Sequence, residues 1–185
     1  MKTFKTALLV GSLRKESLNK KMAEAIIELL PENITAEIIT IGDLPLYNED
    51  LEKEVPAEWT RFRKEMNTFD SLLFITPEYN RSVPGVLKNA LDVGSRPYGK
   101  SIWDKKPGAV VSVSPGAIAG FGANHHLRQS LVFLNVPCMQ QPEAYIGQAA
   151  ELFDDAGKFK DPKSADFIKK FIAAFAKWIE NNAVS

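Results

Sequence analysis

The chain of 185 residues has one cysteine, Cys138. A single thiol allows no internal disulfide, which suits a reducing cytosol and leaves stability to the core. An excess of charge is also missing: 23 Lys and Arg balance 23 Asp and Glu. Without a basic surplus, general affinity for nucleic acid or anionic membranes is not expected. Long apolar runs are absent too. The opening MKTFKTALLVGS holds a basic start and a short apolar stretch, too short for a membrane span and without a signal-peptide cleavage pattern. The two histidines, His125 and His126, are adjacent and point apart if helical, and with one cysteine in the chain a metal site is not expected. Asp154, Asp155 and Asp161 flank Gly157 without calcium-loop spacing and read as turn residues. Cys138 stands in an apolar context and reads as a small core residue. With no repeat, low-complexity tract or linker, residues 1–185 read as one cytoplasmic domain. A chain this long buries about 70% of its unfolded surface, enough for a core without staples.

What is present alternates. TALLV (6–10), SLLFIT (71–76) and AVVSV (109–113) are nearly all apolar, as strands covered on both faces must be. AEIITI (36–41) reads as a second strand and PCMQQ (137–141) as a fifth. Between them run amphipathic stripes: Leu18, Met22, Ile26, Leu29; Trp59, Phe62, Met66, Phe69; Leu127, Leu131, Leu134; and Phe167, Phe171, Phe175, Trp178 in a helix from about Ser164. Pro84 to Val93 reads as a helix that opens on proline and stops at Gly94. Five strands alternating with five helices predict an α/β fold, a doubly wound parallel sheet of order 2-1-3-4-5. Ligands then bind outside the carboxyl ends of the strands, where the connections reverse between strands 1 and 3. The loops there span 11–19, 77–83 and 114–123.

The first loop, GSLRKESLN, carries Gly11, Ser12, Leu13, Arg14, Ser17 and Asn19 and leads into a helix. Helix N-termini attract anions, and hydroxyls, an amide and a guanidinium add donors. It has no GK[ST] ending for a nucleoside triphosphate and no three-glycine pattern for a dinucleotide pyrophosphate. Two readings stay open: a cradle for a phosphate monoester, or a capped turn with Ser17 as N-cap and Arg14 in solvent. The second loop, PEYNRSVPG, is stiffened by Pro77 and Pro84. It suits a wall beside a flat ring, with Tyr79 as the aromatic element, or a plain turn. In the third, SPGAIAGFGANHH, Gly116, Gly120 and Gly122 serve close approach to a ligand or turn geometry alone.

Together GSLRKESLN, PEYNRSVPGVLKNALD, SPGAIAG with HHLRQSL, and DLPLYNEDLE at 43–52 resemble the NADPH-dependent FMN reductases, above all the bacterial quinone and chromate reductases. The likeness runs over nearly the whole chain. It implies a flavodoxin-like fold with tight, noncovalent FMN, NADPH or NADH as electron donor, and a quinone as acceptor, with chromate, nitro and azo compounds as side substrates. By this resemblance Ser12, Arg14, Ser17 and Asn19 hold the FMN phosphate. Pro77, Glu78, Tyr79 and Asn80 line the isoalloxazine, and Ser114 lies near its other edge. Gly11, Leu13, Ser82 and Gly116 complete the expected cofactor set. No catalytic side chain is expected, because flavin N5 carries the hydride. Both substrates use one flavin face in turn, which predicts ping-pong kinetics. The resemblance further implies a homodimer or homotetramer, with Leu87 and Leu91 at the dimer contact and Arg128 and Glu143 in a network between dimers. Ala119 replaces a frequent glycine and His125 a common tyrosine. The alternatives are a flavin reductase that hands reduced FMN to a partner, and an electron-transfer flavodoxin; the latter are usually strongly acidic, unlike this chain.

Overall fold

A computed structural model describes residues 2–154 and 157–183. The strands are β1 (Phe4–Val10), β2 (Ile34–Ile38), β3 (Ser71–Thr76), β4 (Gly108–Val113) and β5 (Ala144–Ile146). The helices are α1 (Leu18–Glu28), α2 (Ala57–Met66), α3 (Gly85–Gly94), α4 (Phe121–Phe133) and α5 (Pro162–Asn182), with short 3₁₀ turns at Glu49–Glu52 and Ala149–Glu151. The sheet has the order β2-β1-β3-β4-β5, and every neighbouring pair is parallel. This is the doubly wound arrangement expected.

The alternation of strand side chains explains the continuous apolar runs. Leu8, Val10, Leu73, Ile75, Val111 and Val113 pack against α1 and α5 through Met22, Ile26, Phe171 and Phe175. Their sequence neighbours Ala7, Leu9, Leu72, Phe74 and Val110 pack against α2, α3 and α4 through Trp59, Phe62, Met66, Leu87 and Leu127. Both faces are therefore covered, and each large buried side chain contributes about 1.5–3 kcal/mol. The polar residues inside these strands are satisfied locally: the Thr6 and Ser71 hydroxyls, both buried, lie 2.8 Å apart across β1 and β3.

Several boundaries differ from the sequence reading. β2 spans only Ile34–Ile38; Ile39 N still donates to Leu8 O at 2.9 Å, and the chain then leaves the ladder, with Ile39 and Ile41 in the core beside α2. The segment 137–141 is not β5. It makes an isolated bridge between Gly108 and Cys138, and the strand forms only at Ala144–Ile146. Arg128 Nη1 donates to Met139 O at 2.8 Å, and Pro142 has no N–H, so neither serves a ladder there. α5 starts earlier than Ser164, at Pro162, because Asp161 is its N-cap and accepts from the N–H groups of Lys163 and Ser164. Asp155 lies outside the described residues. Pro84 is the N-cap of α3 rather than its first residue, and Gly94 lies inside the helix. Gly94 is a packing glycine: a Cβ there would sit 2.5 Å from the Trp103 indole. α4 begins at Phe121, so the third loop is shorter than expected. No helix among the described residues is long and apolar enough to cross a membrane.

Candidate active site

Strands β1, β3 and β4 end side by side, with Val10 opposite Ile75 and Thr76 opposite Ser112. Their three outgoing loops enclose a cleft of about 260 Å³. Of the expected cofactor residues, Ser12, Arg14, Ser17, Asn19, Pro77, Glu78, Tyr79 and Ser114 line it. Leu18, Val113 and Pro115 line it as well. Sequence reasoning left these three unassigned, although each adjoins a loop that the switch-point rule had selected.

One end of the cleft is rich in donors. Ser17 is the N-cap of α1 and accepts from Lys20 N at 3.1 Å, which leaves its hydroxyl proton free to donate. The backbone N–H groups of Ser12, Leu13, Arg14, Leu18 and Asn19 have no acceptor among the described residues. Arg14 is exposed and makes no ion pair or hydrogen bond among them. The turn is capped by Ser17, as one of the two readings has it, while the unpaired amides and the free Arg14 guanidinium leave donors available to an anion, as the other requires.

Asn19 is 4% exposed, and its Nδ2 donates to Val113 O at 3.3 Å. Its Oδ1 is buried with no donor. A phosphate dianion has no proton to offer that atom, whereas a hydroxyl does. FMN carries hydroxyls along its ribityl chain, so the orphaned acceptor fits that group.

The other end is stiff and aromatic. Thr76 Oγ1 donates to Pro77 O at 2.8 Å. Tyr79 N donates to Ser82 O and Ser82 N to Tyr79 O, at 3.1 and 3.0 Å, closing a two-residue hairpin. Its central residues Asn80 and Arg81 both have positive φ, 50° and 66°, the signature of a type I′ turn. Tyr79 N is therefore engaged, whereas the amides of Glu78 and Asn80 have no acceptor among the described residues. The Glu78 side chain turns away from solvent to Ala123 N, 3.1 Å from Oε2. On the third loop, Ser114 Oγ accepts from Gly116 N at 3.1 Å.

Five expected cofactor residues do not line the cleft. Gly11 is buried under the second loop, where a Cβ would lie 2.9 Å from Pro84 Cγ and 3.1 Å from Pro77 Cδ. Leu13 is exposed and covers Gly42 beside a second hollow with Ile39 and Ile41. Asn80 occupies the hairpin turn. The Ser82 hydroxyl lies 3.0 Å from His126 Nδ1, and the Gly116 amide serves Ser114.

Two of the expected oligomer residues are redirected. Leu87 and Leu91 are fully buried in the chain's own core, near Trp103, so they are not available to a partner. Arg128 donates from Nε to Asn124 Oδ1 and from Nη1 to Met139 O, both at 2.8 Å. Glu143 accepts from the Tyr145 hydroxyl at 2.8 Å, and that hydroxyl lies 3.0 Å from His125 Nε2. Burial first, and then the hydrogen bond to Glu143, push the Tyr145 phenol up to about 12. Cys138 sits half-buried, 3.5 Å from Arg128 Nη1, and burial pushes its thiol up, away from the reactive thiolate.

The family model of NADPH-dependent FMN reductases matches residues 4–151. A quinone reductase of Pseudomonas putida is 63% identical over 97% of this chain and 96% of its own length. A 2-hydroxy-1,4-benzoquinone reductase of a Burkholderia species is 41% identical over 97% of this chain and 98% of its own. Among solved structures, the flavoenzyme NAD(P)H:(acceptor) oxidoreductase FerB of Paracoccus denitrificans superposes with a TM-score of 0.93 at 41% identity, covering 98% of this chain and all of that one. A flavodoxin-like sheet, a donor-rich cleft at its switch point, and likeness over nearly the full length lead to one conclusion: the chain belongs to the NADPH-dependent FMN reductase family and is an oxidoreductase.

Proposed function

We propose that the chain, as a single FMN-binding unit, uses NAD(P)H to reduce quinones. The observation that carries the reading is the polarity of the cleft: open amides, hydroxyls and one free guanidinium at one end, and a proline-stiffened tyrosine wall at the other. That gradient matches a phosphate monoester joined through a hydroxylated chain to a flat ring. Ser12, Arg14 and Ser17 hold the phosphate, Asn19 Oδ1 takes a ribityl hydroxyl, and Pro77 to Tyr79 with Ser114 border the ring. Held by these residues, FMN would supply the hydride-transfer chemistry between NAD(P)H and the acceptor.

The protein's own part is binding, orientation and electrostatics. Among the lining residues, Arg14 and Glu78 carry charge; Arg14 lies at the phosphate end and Glu78 is tied to α4. Neither is set up for general acid–base work. The free amide of Glu78, a residue that lines the cleft, stands in the loop that borders the ring, as a donor toward growing negative charge. The names of the relatives support a quinone acceptor. Chromate, nitro and azo compounds are proposed as side acceptors of the same open cleft.

Donor and acceptor occupy that one cleft in turn, which gives ping-pong kinetics. The test is initial-rate analysis of the yellow holoprotein with NADPH or NADH against a quinone series. Parallel reciprocal plots are expected, and intersecting plots with a detectable ternary complex would reject the shared cleft. The family description favours one second reading, release of reduced FMN to a partner. Gel filtration during turnover separates the two: retained FMN supports the quinone reductase.

The chain is further read as a cytoplasmic homodimer or homotetramer. Support comes from a surface other than the one expected. Phe133 and Tyr98 are 88% and 90% exposed, and Phe133 borders a groove of about 530 Å³ between α3 and α4 that also holds Lys88, Asp92 and His126. Light scattering tests this, and a monomer would reject it.

A further inference from the structure

α4 begins without a cap of its own. Its N-cap is Gly120, in the left-handed region at φ 72°, and no acidic residue occupies its first turn. The first N–H groups of a helix have no partner within it and carry partial positive charge. Here a residue distant in sequence supplies the acceptor. Glu78 Oε2 receives Ala123 N at 3.1 Å, from a side chain only 12% exposed. The fit around it is close. A Cβ on Gly122 would lie 2.8 Å from Arg81 O and 3.0 Å from Glu78 Oε2, so the hairpin rests directly on the first turn of α4. One turn further on, His126 Nδ1 lies 3.0 Å from the Ser82 hydroxyl. The Arg81 guanidinium, 3.5 Å from Glu78 Oε1 and largely exposed, adds little.

We propose that Glu78 is a positioning residue: its carboxylate fastens the Pro77–Ser82 hairpin to the N-terminus of α4 and so sets where the ring-bordering wall of the cleft stands. The proposal rests on the FMN reading above. It explains why an acid occupies a site that needs none: the carboxylate answers the helix terminus, not the substrate. It also explains how the amides of Glu78 and Asn80 stay free. The side chain and the Tyr79–Ser82 pair hold the loop, so these two amides take no structural bond.

The test compares Glu78→Gln, which keeps an acceptor oxygen of the same reach, with Glu78→Ala, which has none. In the apoprotein, amide exchange at Ala123, Tyr79 and Ser82 is expected to speed up in Glu78→Ala and to stay near wild type in Glu78→Gln. In FMN-saturated protein, Glu78→Ala is expected to lose about ten- to a hundredfold in kcat, the scale of a wall displaced by an ångström, with a smaller change in KM for NADPH. Glu78→Gln should recover most of that loss, with an unshifted pH profile. If Glu78→Ala fails to fold, Gly122→Ala displaces the hairpin from the helix side and should show the same kcat loss with Glu78 intact. Unchanged exchange at Tyr79 and Ser82, or full kcat in a folded, FMN-bound Glu78→Ala, would overturn the proposal. So would a Glu78→Gln as defective as Glu78→Ala with a displaced pH profile, which would make the carboxylate itself a proton carrier. A wild-type protein that binds no FMN is a separate result: it rejects the FMN reading, while the exchange comparison still judges the fastening.

Discussion

Replacing Arg14 by alanine isolates the phosphate end of the cleft. Arg14 lines the cleft, is exposed, and has no partner among the described residues. Its removal therefore leaves no buried group unpaired and creates no cavity, so the melting temperature of the apoprotein should hardly move. A hydrogen bond to a charged group contributes about 1.5–3 kcal/mol, and exposure to water puts Arg14 toward the lower end. The expected weakening of FMN binding is then about tenfold, rising toward a hundredfold at low salt, where the guanidinium is less screened. Riboflavin lacks the phosphate and provides the internal control. Titrating the apoprotein by flavin fluorescence, Arg14→Ala should lose affinity for FMN and keep that for riboflavin. Equal losses on both ligands would place Arg14 elsewhere than at the phosphate, and no loss on either would remove it from the site.

Three further outcomes follow from the geometry. Asn19→Ala should weaken FMN and riboflavin by the same factor, because its orphaned Oδ1 is assigned to the shared ribityl chain; a loss confined to FMN would return Asn19 to the phosphate. Gly94→Ala should destabilise by about 1–3 kcal/mol in chemical denaturation despite the better helix propensity of alanine. The new methyl would meet the buried Trp103 indole, which cannot yield without losing its hydrogen bond to Leu91 O. Burial lowers Lys106 to about 8, with Asp70 opposing, while the unfolded value stays near 10.4. Between those values the unfolded chain binds more protons, so this residue makes stability rise with pH from about 8 to 10. Lys106→Met should flatten that part of the stability–pH curve, and an unchanged slope would show that Lys106 titrates normally.

The amino-acid sequence alone determined the strands at 71–76 and 109–113, most of β1, and the sheet order. Side chains buried on both faces leave an unbroken apolar run, and few connections join such runs. It determined the three loops of the cleft too, because phosphate donors and ring-bordering prolines are chemical types that need no coordinates. β5 was beyond it. Three residues, AYI, hold no periodicity, and their strand exists only because β4 offers a free edge beside them. Periodicity also says which residues share a helix face but not what covers it. Leu87 and Leu91 form one stripe, and only the packing of Trp103 and β3 made that stripe core rather than subunit contact. The same limit applies to loops. Glu78 was legible as a residue of the cleft, but a carboxylate at the end of a strand has no direction until α4 arrives with an uncapped N-terminus, and it was that packing which turned it toward Ala123.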